Sequence, residues 1–171
     1  MAERRPDSTF PPHPWVWLLV SALVIGLDWV TKGMASGSLE LYRPVNVLPG
    51  LNMTLAHNYR AAFSFLSSAG GWQRWFFIIL ASGVSALLLV WIMRLKRTEW
   101  LVSLGLSLIL GGAIGNLVDR IALGYVVDFI DVYYQNWHFP AFNVADSAIT
   151  CGVILLLLDA VLQFRAERAA A

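Results

Sequence analysis

The stretch Trp72 to Val118 reads WQRWFFIILASGVSALLLVWIMRLKRTEWLVSLGLSLILGGAIGNLV, and its reading decides the fold. It is two apolar runs, about 72–93 and 100–118, joined by the basic hexapeptide Arg94-Leu95-Lys96-Arg97-Thr98-Glu99. A helix needs about 20 apolar residues to cross a bilayer. Each run meets that length, and so short a joint forces an antiparallel hairpin. Outward from this hairpin, two further runs qualify, at about 15–32 and 144–164. None of the four alternates with period two, so all are expected as helices rather than barrel strands.

Composition agrees. Of 171 residues, 58% are hydrophobic and 13% charged, and the mean hydropathy is +0.64. A soluble domain is nearer 45–50% apolar and about 25% charged. The net charge of +1 excludes electrostatic capture of nucleic acid. Many of the eight tryptophans stand near the ends of apolar runs, as in an interfacial belt. A single cysteine, Cys151, excludes an internal disulfide framework and a cysteine zinc site, and its apolar neighbours suggest packing. His13, His57 and His138 are scattered without metal-ligand spacing, so no metal is expected.

Seven of the twelve basic residues fall on the side of the termini and the 94–99 loop. The positive-inside rule therefore places both termini in the cytoplasm. The segments of about 33–71 and 119–143 then face outward, to the periplasm in a Gram-negative cell. Asp28 and Lys32, and the lack of a small-x-small site, argue against cleavage of the first run as a signal peptide. Between Leu41 and Phe65, Pro44, Pro49 and Gly50 punctuate short β-like runs, which suggests a small sheet on the membrane surface. Ser67 to Gly71 reads as a turn before the second span.

Charges at span ends are costly and so mark candidate function. Asp28, Asp119, Asp128 and Asp146 fall at one depth near the outer ends, with Asn58, Asn116, Asn143 and Arg120. Asp159 lies about 20 Å further along the fourth span, at 1.5 Å per residue, and suits a snorkelling role. Facing carboxylates push one pKa up and can act together as base and acid on one water, as in an aspartic protease. Structural readings stand beside this one. Asp146 suits a helix N-cap, Asp119 and Arg120 an interfacial ion pair, and Asp28 and Lys32 an i,i+4 pair. The same acids would also serve a small transporter or proton-relay subunit. Gly111-x-x-x-Gly115 reads as a close-packing motif on the third span.

Five blocks in order carry a family resemblance: Asp28 to Lys32, His57 to Ser64, Gly111 to Arg120, Val126 to Phe129, and Phe142 to Ser147. Together, over about Trp15 to Phe164, they resemble the bacterial lipoprotein signal peptidases, signal peptidase II. The resemblance implies a single membrane-embedded domain over 1–171. Its fold would be mainly α: four transmembrane helices with a small extracytoplasmic β-cradle and a short periplasmic helix. The segments 41–65 and 66–71 or 121–140 would supply the last two parts.

It implies an aspartyl endopeptidase of the inner membrane that cuts diacylglyceryl-modified prolipoproteins before the lipidated cysteine. The catalytic pair carried over is Asp128 and Asp146. Asn58, Asn116, Asp119, Arg120 and Asn143 would line or brace the site, while Asp28 and Lys32 would be structural or peripheral. Membrane lipids and globomycin-type inhibitors are implied ligands, and no cofactor is implied. Two positions depart from the family pattern: Arg60 stands where Gly is usual, and Trp29 where Gln is usual.

Overall fold

The computed structural model describes residues 13–59 and 72–170. After a 3-10 turn at Pro14–Trp17 come α1 (Leu18–Ser38), β1 (Val45–Leu48), β2 (Leu51–Asn58), α2 (Trp72–Arg94) and α3 (Trp100–Ala122). β3 (Val126–Tyr134), β4 (Trp137–His138) and α4 (Val144–Ala170) complete the chain. Four of these helices are long and apolar enough to cross a membrane. Three outrun the apolar runs read from sequence. α1 continues to Ser38, α3 to Ala122 and α4 to Ala170. Hydropathy sees only where apolar residues stop, whereas a helix continues wherever its polar residues find partners. Asp119 and Arg120 therefore sit within α3 and not beyond it, and Asp28 and Lys32 lie well inside α1.

α3 is the central helix. Over half of its apolar window (56%) is buried, against 11–22% in the others. On one side its Leu106 and Leu110 pack with Leu88 and Ile92 of α2. On the others, missing side chains set the spacing. A Cβ at Gly111 would meet Ser21 and Val24 of α1, and one at Gly112 would strike the Ala145 carbonyl of α4. Lower down, Gly105 and Gly152 face each other across α3 and α4. Of the motif read from sequence, Gly111 faces α1 and Gly115 faces Asp28 of α1 and Ala145 of α4, so it brings both helices against α3. Within the helices Thr31 Oγ1 and Ser38 Oγ donate back to the carbonyls of Leu27 and Met34, at 2.7 and 2.6 Å, whereas the buried hydroxyls of Ser85 and Ser107 find no hydrogen-bond partner among the described residues.

The strands form one antiparallel sheet, ordered β1-β2-β3-β4. Pro49 and Gly50 turn β1 into β2, with Gly50 at φ +88°. Proline presets the first turn position, and glycine takes the positive φ of the second. The expected sheet within 41–65 is present as β1 and β2. The segment 121–140, one candidate for the short helix, holds β3 and β4 instead. The other candidate, 66–71, lies outside the described residues.

Candidate active site

Asp128 is delivered by a reversal at the end of α3. Gly124, at φ +86°, lets the chain turn back directly after the helix. The Asp119 carboxylate then accepts from the Val127 backbone N–H at 3.0 Å, tying the start of β3 to the helix it has just left. Val126, Val127, Asp128 and Phe129 are all buried. On the neighbouring strand, Ala56 stands opposite Asp128 and Asn58 opposite Val126. Asn58 is thus the diagonal neighbour of Asp128, within side-chain reach. Its Nδ2 donates to Asp128 Oδ2 at 2.9 Å.

Asp146 is delivered by the start of α4. The N-cap is Asn143, not Asp146 as one sequence reading had it. Asn143 Oδ1 accepts from the Asp146 N–H at 2.9 Å, while Asp146 Oδ2 accepts from the Asn143 N–H at 3.3 Å. This reciprocal pair is a capping box, with Asp146 at the third helical position. The arrangement leaves Asp146 Oδ1 for Asn116 of α3, whose Nδ2 donates at 2.7 Å. Asp28 of α1 also reaches this helix end and accepts from the Ala145 N–H at 2.9 Å.

Asn143 joins the two carboxylates. Its Nδ2 lies 2.7 Å from Asp128 Oδ1, and 3.2 Å from both Asn116 Oδ1 and Val127 O. Three asparagines thus aim donors at two aspartates from β2, α3 and the head of α4. Burial pushes the Asp128 carboxyl up to about 7, and the nearby Asp146 charge adds to the rise. The Asn58 and Asn143 hydrogen bonds and the Lys32 charge oppose it. A buried carboxyl with a pKa near neutrality beside a second carboxyl suits proton exchange with one water.

A cavity of about 630 Å³ opens beside Asp146, while Asp128 stays buried behind its lining. Phe139, Pro140, Ala141, Phe142 and Val126 form its apolar wall, and Asn58, Asn116, Arg120 and Asp146 its polar end. Ser147, Thr150 and Cys151 continue it along α4. Cys151 is therefore exposed on a cavity wall and not packed, as its apolar neighbours in sequence had suggested.

The structure brings together all seven residues proposed for the site, and it corrects one pairing. Asp119 pairs with Lys32, at 2.9 Å, and not with Arg120. Arg120 donates to the Asn116 carbonyl at 3.0 Å, with its guanidinium 5.6 Å from the Phe77 ring centre. Asp28 and Lys32 form the expected i,i+4 pair, at 2.6 Å, yet Lys32 also touches Asn116 directly. Of the two roles expected for this pair, structural or peripheral, the contact with Asn116 fits the structural one.

Sequence reasoning missed the wall at 139–142. Its signal was an aromatic, proline-containing run immediately before a helix cap. Trp29 is 71% exposed on the outer face of α1, away from the site. Arg60 lies outside the described residues. Asp159 accepts from Gln163 at 2.6 Å along α4, remote from the pair. Asp131 belongs to a separate group on the sheet, with Asn52, Thr54 and His138.

A family model described as signal peptidase (SPase) II matches residues 20–162. A lipoprotein signal peptidase of Acinetobacter baumannii is 61% identical over 150 residues, covering 88% of this chain and 85% of that protein. One from Ectopseudomonas mendocina is 53% identical over 156 residues, covering 90% of each. A bacterial membrane enzyme solved by the in meso method at 2.3 Å resolution shares the fold with a TM-score of 0.77. It is 31% identical, over 90% of this chain and 91% of that one. A second, solved at 1.9 Å, gives a TM-score of 0.75 at 32% identity, over 85% and 92%.

Proposed function

The chain belongs to the signal peptidase II family, and we propose that it cleaves with an aspartate pair, Asp128 and Asp146, immediately before the diacylglyceryl-modified cysteine. As a member of that family it is a peptidase of the inner membrane, with several spans, that removes signal peptides from prolipoproteins. The observation that carries the finer reading is the convergence of Asn58, Asn116 and Asn143 on these two carboxylates beside an apolar cavity.

The proton rests on Asp128, whose burial holds its carboxyl near neutrality. The base is Asp146, which lies in the first turn of α4 with its Oδ1 held by Asn116. Asp146 takes a proton from water, whose oxygen attacks the scissile carbonyl carbon. Asp128 gives its proton to the carbonyl oxygen, forming a tetrahedral diol. Collapse breaks the C–N bond and passes a proton to the leaving amine. The signal peptide leaves as a carboxylate, and the lipidated cysteine gains a free amino group. Water has been added across one bond, and no acyl-enzyme forms.

The site stands at the end of the bundle that carries the sheet, opposite the basic 94–99 loop. With both termini in the cytoplasm, that end is periplasmic. Signal helix and acyl chains then enter sideways from the lipid along α4 and the 139–142 wall. A globomycin-type cyclic lipopeptide would compete for the same cavity. The test is mass analysis of the products from a diacylglyceryl-modified prolipoprotein peptide. A cut at the lipidated cysteine that Asp128→Asn and Asp146→Asn each abolish supports the reading. A cut elsewhere refutes it.

A further inference from the structure

Lys32 is only 4% exposed and lies well inside α1. An ammonium buried without partners would be prohibitively costly. This one has three acceptors for its three protons: Asp28 Oδ2 at 2.6 Å, Asp119 Oδ2 at 2.9 Å and Asn116 Oδ1 at 3.0 Å. Two carboxylates already neutralise the charge, so the bond to a neutral amide has another consequence. An ammonium only donates, and the Asn116 atom that faces it must be the oxygen. The Asn116 nitrogen is thereby turned toward Asp146 Oδ1, at 2.7 Å. The same Asn116 oxygen receives Asn143 Nδ2 at 3.2 Å, which reinforces the choice. A flipped amide would press its nitrogen on the ammonium and its oxygen on the Asp146 carboxylate.

We propose that Lys32 is a positioning residue for peptide cleavage: it locks the Asn116 amide in the orientation that presents an N–H to Asp146. The proposal rests on the aspartate-pair reading above. Lys32 bonds to Asp28, Asp119 and Asn116 and to neither carboxylate of the pair, so it acts on Asp146 through Asn116. Asp28 and Asp119, in turn, hold the ammonium in place. Asp28 anchors to the Ala145 N–H of α4, and Asp119 to the Val127 N–H of β3. One buried cation thus ties α1, α3, β3 and α4 together behind the site.

The experiment compares wild type, Asp28→Asn/Lys32→Met, Lys32→Arg and Asp128→Asn, each as the full chain in detergent. The substrate is a diacylglyceryl-modified prolipoprotein peptide. The double variant removes Lys32 together with one of its two carboxylates, so Asp28 is not left charged and buried; an amide at position 28 still accepts from Ala145, and Asp119 keeps the Val127 N–H. Its kcat should fall at least about tenfold, the worth of one hydrogen bond to a charged group, with KM within about threefold of wild type. Lys32→Arg keeps a cationic donor and should recover part of that kcat. Wild-type kcat in the folded fraction of the double variant overturns the proposal and makes Lys32 merely structural. Equal kcat in the double variant and Lys32→Arg, active or inactive, also overturns it. Wild-type turnover by Asp128→Asn would instead refute the aspartate pair itself.

Discussion

Replacing Asp128 with asparagine should change the stability of the protein in opposite directions at low and high pH. The wild-type carboxyl is raised from 3.8 to about 7 by burial. Between those values the folded state holds a proton that the unfolded chain has released, so stability falls as pH rises. Integrating the linkage from pH 5 to pH 9 gives a loss of about 3 kcal/mol, at about 1.4 kcal/mol per unit. Asp128→Asn removes this loss, because an amide does not titrate. It has its own cost, because an amide has one oxygen where the carboxylate has two. Asn58 Nδ2 and Asn143 Nδ2 both donate there, at 2.9 and 2.7 Å, and one of them loses this acceptor. That costs about 1–3 kcal/mol at every pH. The variant should therefore melt below wild type at pH 5 and draw level with it or pass it by pH 9. The swing in the difference is about 5–10 °C, on the scale of a globular chain of this length. Thermal unfolding in detergent, followed by tryptophan fluorescence at five pH values, measures it. A difference between the two melting temperatures that stays constant from pH 5 to pH 9 would refute the reasoning.

Gly112→Ala should destroy both stability and activity, because the added methyl strikes the Ala145 carbonyl and forces α4, with Asp146, away from Asn116. Gly26→Ala, with nothing within 4 Å of the new atom, should leave activity unchanged and gain up to about 1 kcal/mol of helix stability; the same assay checks both. Asp131→Asn should cost about 1–2 kcal/mol at neutral pH. Burial raises the Asp131 carboxyl, but hydrogen bonds from His138, Asn52 and Thr54 outweigh it and hold the group low. That stabilisation is present above pH 4 and lost on acidification, so the melting difference should shrink below pH 4. Arg74→Ala should cost about 1–2 kcal/mol, because its guanidinium caps the carbonyls of Arg120 and Ile121 at the end of α3, at 2.9 and 2.8 Å.

The helices were legible because each is a long apolar run, and the basic loop fixed how two of them pair. β2 was legible from the Pro49-Gly50 turn and the runs around it. β3 was not, because Val126 to Phe129 are buried on both faces and show no alternation, with Asp128 among them. From residues alone, four acids at one depth left the site open, and only the family resemblance singled out Asp128 and Asp146. The division of labour around them was hidden for a physical reason. Which carboxylate pairs with Lys32, and which residue caps α4, depend on how α1, α3 and α4 rotate about their axes. Periodicity reports that rotation to within a residue or two, and a capping box turns on one.

The central claim is tested most directly by turnover of a diacylglyceryl-modified prolipoprotein by the purified wild type beside Asp128→Asn and Asp146→Asn. The account predicts cleavage by the wild type and a loss of at least 1000-fold, about 4 kcal/mol of barrier, in each folded variant. Cleavage by either variant at a rate near that of the wild type would contradict it.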